Sequence, residues 1–190
     1  MTQRISLTEQ AHSIIKKHLK TGDIAIDATV GNGHDTLFLT QQVGSNGSVF
    51  GFDIQQQAIE STQDKLTNEV ISCNTLLFHC SHDQMEQYIP QEVQGRVKVI
   101  MFNLGYLPGS DKSIITQAES TLNALKLSLN ILAKTGIITI AAYPGHSGGK
   151  SETDAIQQWH TQLNTDQYSM QTIYSSEKET APRLYIIKSK

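Results

Sequence analysis

The 190-residue sequence predicts an α/β fold with a doubly wound, mostly parallel seven-stranded sheet and a C-terminal antiparallel hairpin. Short apolar runs alternate with helical segments along most of the chain. This order is typical of a parallel sheet with helices on both faces. Two β-prone runs end the chain with no helix between them, which predicts one reversed strand. The length and the 38% hydrophobic fraction predict one domain, residues 1–190, with a substantial core.

The first half of the chain predicts an initial helix and three strand–helix units. Ile14, Ile15 and Leu19 fall on one side of a helix over residues 5–20. The three predicted strands are short apolar runs, and they span residues 23–28, 48–54 and 75–80. The predicted helices that follow them span residues 35–42, 56–66 and 83–88. Gly44 and Pro90 end the first and the third of these helices.

The second half continues the alternation. Residues 96–103 form a run so apolar that it predicts a strand buried on both faces. Leucines at helical spacing predict a long helix over residues 114–132. The remaining predicted elements are strands over residues 136–143, 168–175 and 183–189 and a helix over residues 151–163.

Composition excludes several function classes. A net charge of −3 argues against a domain that coats nucleic acid non-specifically. No run reaches the roughly 18 apolar residues that span a membrane, and the first 20 residues lack the apolar stretch of a signal peptide. Cys73 and Cys80 form no CxxC pair and the histidines form no HExxH, so we expect no metal site. Free thiols favour a cytoplasmic location.

A glycine turn follows the first predicted strand, at the sheet edge where ligands bind in this class of fold. Asp27 ends the strand, and Gly31 and Gly33 lead into a helix. Dinucleotide-binding turns require a third glycine, and Thr36 stands in its place. Asp27 would crowd a pyrophosphate, whereas it suits a cation. The turn therefore favours S-adenosyl-L-methionine (SAM), which carries an ammonium and a sulfonium, over NAD.

Polar residues end the next two strands as well. Asp53 ends the second strand, where a carboxylate can accept both hydroxyls of a ribose. Ser81, His82 and Asp83 follow the third strand, where an adenine edge would lie. Taken singly, the glycine turn could be an ordinary tight turn and each acid a helix cap. The combination of two acids with the turn between them favours a cofactor site.

The fourth strand leads into a segment with Asn103 and Tyr106. Their spacing resembles the Asn-Pro-Pro-Tyr-like segment of amino-group methyltransferases, where the Asn accepts hydrogen bonds from the target amine and the Tyr packs on the base. Both prolines are replaced here, which argues against a planar aromatic amine as target. The alternative is that Asn103 caps the next helix and Tyr106 is a surface aromatic residue.

The loop after the fifth strand carries His146, which could orient an amine or accept its proton near neutral pH. The alternative is a loop histidine with local hydrogen bonds only. Lys112, Lys150 and Arg183 could form a small phosphate-binding rim, or could be ordinary surface residues.

The segments IDATVGNGHDTLFL, GFDIQQQAI, FNLGYLPGSDK and AYPGHSGGKSE together resemble a bacterial family of small SAM-dependent methyltransferases that carry the label rRNA methylase. The resemblance runs from about residue 12 to the C-terminus. It implies the class I SAM-dependent methyltransferase fold, a homodimer, and methylation of wobble 5-aminomethyl-2-thiouridine in the anticodon stem-loop of tRNA to 5-methylaminomethyl-2-thiouridine.

The resemblance also implies site residues. Asn103, Tyr106 and His146 would hold the wobble base. The residues that would hold SAM are Asp27, Thr29, Gly31, Asn32, Gly33, Asp35, Thr36, Asp53, Gln55, Ser81 and His82.

Three other functions stay open on sequence grounds. A methyltransferase of this fold could act on rRNA or on a small-molecule amine, and only an RNA enzyme should weaken as salt rises. A non-catalytic SAM-binding or RNA-binding module would bind SAM without turnover. An NAD-dependent enzyme is disfavoured by Thr36.

Overall fold

The structure, a computed structural model, describes residues 5–69, 73–107, 109, 115–178 and 180–190. Its strands are β1 (Ile24–Asp27), β2 (Ser48–Asp53), β3 (Asn74–His79), β4 (Val97–Asn103), β5 (Leu132–Ala142), β6 (Tyr168–Tyr174) and β7 (Arg183–Ser189). Its α-helices are α1 (Leu7–Ile15), α2 (His34–Val43), α3 (Gln56–Asn68), α4 (Ala118–Ile131) and α5 (Gly149–Thr161). Two 3₁₀ helices span His82–Gln87 and Gln91–Val93.

The seven strands form one sheet in the order β3-β2-β1-β4-β5-β7-β6. β1 to β5 are parallel to one another, and β7 runs antiparallel to both β5 and β6. The predicted doubly wound sheet with one reversed strand is therefore confirmed. The chain extends the sheet from β1 to one side and then returns to place β4 on the other side. This reversal creates a crevice at the carboxyl ends of β1 and β4.

Both faces of the sheet are covered by helices. Along β4, Ile100 and Phe102 pack into the apolar cluster that holds α4 and α5, while Val99 and Met101 pack into the cluster that holds α1 and α2. These four side chains are at most 1% exposed, as a strand buried on both faces requires. No helix among the described residues is long and apolar enough to cross a lipid bilayer.

The α-helix boundaries differ most from the sequence expectation in α1 and α4. α1 begins after Ser6, whose side chain forms a capping box with Glu9, and it ends at Ile15 instead of residue 20. The helix predicted over residues 114–132 begins only at Ala118, because Ile115 forms a β-bridge with Tyr106. Residue 114 lies outside the described residues.

Two further segments also differ. β5 begins at Leu132 instead of residue 136, directly after α4. Thr135 adopts a positive φ of 62° there, beside a register shift between Val97 and Val99 of β4. The helix predicted over residues 83–88 is the 3₁₀ helix His82–Gln87.

Candidate active site

A cleft of about 730 Å³ opens at the carboxyl ends of β1 to β5. That volume lies within the usual range for small-ligand pockets. Eleven of the fourteen predicted site residues line the cleft. Those residues are Thr29, Gly31, Asn32, Asp35, Asp53, Gln55, Ser81, His82, Asn103, Tyr106 and His146. The fold brings these predicted residues together at one sheet edge, on segments that follow all five parallel strands.

Asp53 ties the glycine turn to the end of β2. One of its carboxylate oxygens accepts a hydrogen bond from the Gly31 N–H at 2.9 Å, and the other accepts from the Gln55 N–H at 2.9 Å. Gly33 precedes α2 with a left-handed φ of 73°. A Cβ at Gly33 would lie 2.5 Å from the hydroxyl of Thr62 on α3, so only glycine fits the turn without a shift.

Asp27, Gly33 and Thr36 do not line the cleft but support the turn from behind it. Asp27 is fully buried and accepts hydrogen bonds from the Thr29 N–H at 3.1 Å and the Thr36 hydroxyl at 2.6 Å. Burial, followed by the nearby charge of Asp35, raises the pKa of the Asp27 carboxyl to about 7. The expected direct contact between Asp27 and a cofactor stays a prediction.

The three carboxyl groups of Asp27, Asp35 and Asp53 lie close enough for the charges of Asp35 and Asp53 to raise the pKa of Asp27. No lysine or arginine lines the cleft among the residues that the structure describes. The described part of the cleft therefore has a surplus of negative charge, which a ligand with cationic groups would offset and a pyrophosphate would worsen. This charge distribution fits SAM.

We expect the buried carboxyl of Asp27 to make the ligand-free protein less stable as pH rises. Its pKa is raised from 3.8 to about 7 on folding, so the folded state binds the proton more tightly. Its stabilising contribution is complete below pH 3.8 and is lost as pH rises through 7. Between pH 5 and pH 8, we expect the wild-type free energy of unfolding to fall by roughly 1–3 kcal/mol more than that of Asp27→Asn. Urea titrations measure this difference.

The matched control for that experiment is Asp64→Asn, at an exposed carboxylate on α3. Its pH profile should run parallel to the wild-type profile. If the Asp27→Asn profile also runs parallel to wild type, Asp27 is ionised throughout this range and the argument from burial is wrong.

Asn103 ends β4 and is held from two sides. Its N–H donates to the Thr29 hydroxyl at 2.7 Å, and its side-chain Nδ2 donates to Asp35 at 3.2 Å. Because the next described helix begins only at Ala118, the structure excludes the alternative in which Asn103 caps a following helix. The other oxygen of Asp35 lies 2.7 Å from Nε2 of His12 on α1. The sequence analysis missed His12, because nothing near it in the sequence indicates a partner 23 residues away.

Tyr106 and His146 form one wall of the cleft, with ring centroids 6.0 Å apart and planes at 90°. The His146 Nδ1 lies 2.9 Å from the Ser147 carbonyl oxygen. Its Nε2 is buried next to the Cβ positions of Gly105 and Gly149, with no hydrogen-bond partner among the described residues. His146 therefore shapes the wall in this conformation, while its expected role as a proton acceptor stays a prediction.

His82 lines the cleft just after β3, where the sequence predicts the adenine. Its Nδ1 lies 3.2 Å from the Ala28 carbonyl oxygen, and its Nε2 has no hydrogen-bond partner in the described part of the chain. Burial lowers the pKa of His82, which favours the neutral ring. A neutral ring that donates through Nδ1 leaves Nε2 as an acceptor.

A buried acid on α5 supports the segment that carries Tyr106. Glu152 is 2% exposed and accepts hydrogen bonds from the hydroxyls of Thr116 at 2.8 Å and Thr121 at 2.6 Å. Thr116 in turn forms two hydrogen bonds with the backbone of Gly105, at 2.9 and 3.0 Å. The sequence analysis did not single out Glu152, because an acid in the first turn of a helix is usually on the surface.

The predicted phosphate rim is not assembled among the described residues. Lys150 pairs with Asp154 at 2.8 Å, and Arg183 lies over the ring of Tyr174 at 5.4 Å. Lys112 lies outside the described residues, so the rim stays a prediction.

Comparisons with known proteins identify the chain's relatives. The model of the family described as "Putative rRNA methylase" matches residues 49–188. The tRNA (mnm(5)s(2)U34)-methyltransferase of Arabidopsis chloroplasts (Arabidopsis thaliana) is 41% identical over 162 residues, or 81% of this chain. The alignment spans 58% of that protein's own length.

Two crystal structures are similar along the whole chain. A Clostridium thermocellum protein with the same description as the family is 38% identical, with a TM-score of 0.92 and full coverage of both chains. A Streptococcus mutans protein solved in complex with SAH is 32% identical, with a TM-score of 0.86 and full coverage of both chains. The fold is that of the SAM-dependent methyltransferases, and the chain belongs to the rRNA-methylase family.

Proposed function

We propose that this protein is a SAM-dependent N-methyltransferase of tRNA. It methylates the amine of wobble 5-aminomethyl-2-thiouridine and gives 5-methylaminomethyl-2-thiouridine. One observation carries the choice of reaction, namely the Asn103 side chain that lines the cleft and is fixed by Asp35. The choice of substrate rests on the 41% identity to the Arabidopsis enzyme, whose name specifies that nucleoside.

The residues around the cleft fit SAM as the methyl donor. Asp53 would accept from the ribose hydroxyls, and His82 and Ser81 would hold the adenine. The turn at Gly31 and Asn32 would contact the amino-acid part, near the negative charges described above. When bound, SAM supplies an electrophilic methyl group.

The protein's own contribution is the orientation of the target amine. Because Nδ2 of Asn103 donates to Asp35, the amide oxygen is left to accept from the amine N–H. Holding the amine in one direction aligns its lone pair with the methyl group. Tyr106, which is 39% exposed, offers a ring face on which the wobble base can stack. An alkyl ammonium must first lose a proton, for which His146 is the proposed acceptor, and only the resulting neutral amine can attack.

The same proposal implies the protein's partners. It takes the anticodon stem-loop of tRNA as substrate, as a homodimer in the cytoplasm. Two copies would present a larger RNA-binding surface than one chain with a net charge of −3.

Methyl transfer from labelled SAM tests the proposal. The substrate is tRNA from cells that lack this gene, and nucleosides are identified by mass spectrometry. We expect 5-aminomethyl-2-thiouridine to be consumed as its N-methyl form appears, with a rate that falls as salt rises. Already methylated tRNA is the matched negative control.

Two parallel reactions, on rRNA and on small alkylamines, examine the competing functions. The family description favours rRNA as the second candidate. Label in rRNA or in an amine, with unlabelled tRNA, would overturn the tRNA proposal and keep the methyltransferase assignment. SAM binding with no transfer to any acceptor would indicate a non-catalytic module.

A further inference from the structure

Helix α1 lies outside the strand–helix units that build the cleft, yet one of its side chains reaches a cleft residue. His12 Nε2 is 2.7 Å from the Asp35 carboxylate, whose other oxygen accepts from Asn103. We propose that His12 is a positioning residue for methyl transfer, which acts through Asp35 to fix the side-chain amide of Asn103. This inference rests on the proposed function, and it assigns helix α1 a role in the reaction.

His12 is held in place by packing on two elements. Its ring stacks on Phe38 of α2, with centroids 3.8 Å apart and planes within 7°. Leu7, Ala11 and Ile15 anchor the same face of α1 in the core and are at most 5% exposed. A stacked ring on an anchored helix has little rotational freedom, so its Nε2 offers Asp35 a donor in a fixed position.

The surroundings of Asp35 make the hydrogen bond from His12 important. It is 5% exposed, and its charge acts on the buried carboxyl of Asp27. A buried carboxylate beside another acid is stable only when its oxygens are hydrogen-bonded. His12 satisfies one oxygen and Asn103 the other. Loss of the His12 N–H would leave one oxygen unsatisfied and would let the carboxylate rotate.

Rotation of Asp35 would affect the reaction through Asn103. An ionised carboxylate only accepts hydrogen bonds, so it determines which end of the Asn103 amide faces it. With Asp35 fixed, the NH₂ group points to the carboxylate and the oxygen is presented to the target amine. With Asp35 free to turn, the Asn103 amide can flip and present its NH₂ group to the target amine, which removes the hydrogen-bond acceptor. Because Asp35 keeps its charge in the cleft, the expected defect lies mainly in the chemical step, with at most a small change in SAM binding.

Two substitutions of His12 separate hydrogen bonding from packing. His12→Phe keeps an aromatic ring on Phe38 and removes the N–H. His12→Gln removes the ring and keeps an N–H donor at a similar reach. We expect His12→Phe to lower kcat by about 10–30-fold. KM for tRNA and Kd for SAM should stay within about 2-fold of wild type. His12→Gln should recover at least about a third of the wild-type kcat.

Nuclear magnetic resonance of the protein without SAM or tRNA supplies a measurement independent of turnover. The two side-chain amide protons of Asn103, assigned by their loss in Asn103→Ala, differ in shift in any asparagine, and the hydrogen bond to Asp35 should move one of them further downfield. We expect this extra downfield shift to decrease in His12→Phe and to stay at its wild-type value in His12→Gln. A residue that merely stabilises the fold would not produce this pattern.

The outcomes separate this inference from the proposed function. Wild-type protein that transfers no methyl group to tRNA overturns the proposed function, and the amide signals still test the link from His12 to Asn103. Active wild type with a His12→Phe kcat within about 2-fold, or with unchanged Asn103 signals, overturns the positioning role. A larger loss in His12→Gln than in His12→Phe would show that ring packing matters and not the hydrogen bond.

Discussion

Asn103→Ala should lower kcat/KM for methyl transfer to tRNA by at least about 100-fold. The substitution removes the amide oxygen that accepts the target N–H and leaves Asp35 facing an empty space. The amine would then enter the cleft without a fixed direction for its lone pair. The backbone bond from residue 103 to Thr29 is kept, so the end of β4 should stay in place. We expect Kd for SAM to change by less than about 3-fold, which isothermal titration calorimetry measures.

Asn74→Ala is the matched control, since Asn74 is an exposed asparagine on the edge strand β3. It should leave both the transfer rate and SAM binding unchanged. An Asn103→Ala protein that methylates tRNA within about 3-fold of the wild-type rate would remove Asn103 from the reaction. The choice of an amine-directed mechanism would then lose its structural support.

Gly33→Ala should lower the free energy of unfolding by about 2–4 kcal/mol. The residue adopts a φ of 73°, which costs about 1 kcal/mol for any residue with a Cβ. The larger part is a steric clash, because the new Cβ would lie 2.5 Å from Oγ1 and 2.9 Å from Cγ2 of Thr62. Thr62 is fully buried, so it cannot move into solvent to make room for the new Cβ. Urea unfolding followed by circular dichroism measures the loss.

Gly95→Ala separates the two contributions. Gly95 has nearly the same φ, 71°, but a Cβ there would meet nothing within 4 Å. It should lose only about 1 kcal/mol, the cost of the backbone conformation. The double substitution Gly33→Ala with Thr62→Ala should recover part of the loss, because it removes the two closest atoms. Equal losses for Gly33→Ala and Gly95→Ala would show that α2 and α3 separate freely at this turn.

The sheet and the sheet edge that forms the cleft could be predicted because their signals are local. Each parallel strand is an apolar run, and Asp27, Asp53 and Asn103 mark the polar ends of three of them. Parallel strands place those ends side by side, so residues that are far apart in the sequence lie close together in the fold. The same reasoning put Asp27 in the cleft. It could not show that the Asp27 carboxyl is fully buried and accepts a hydrogen bond from the Thr36 hydroxyl.

The supporting contacts could not be predicted, because their partners are distant in the sequence. His12 reaches Asp35 across 23 residues, and Glu152 reaches Thr121 across 31. A histidine within a helix and an acid in the first turn of a helix are both common on the surface. Neither indicates a hydrogen-bond partner in a distant segment. The predicted start of the helix at residue 114 was wrong for a related reason. Ile115 continues an apolar pattern that suits a helix, but its backbone pairs with Tyr106 of the preceding segment.

The placement of β7 between β5 and β6 bears on how the chain is assembled during synthesis. β7 comes after both strands in the sequence. In the sheet it lies between them and pairs with each of them. β6 therefore has no earlier strand to join and must wait until residues 183–189 have left the ribosome. The interior of β7, Leu184 to Ile187, is at most 1% exposed once in place. Until then, β5 presents an unpaired edge, so we expect nascent chains stalled before residue 183 to bind chaperones and to resist stable folding.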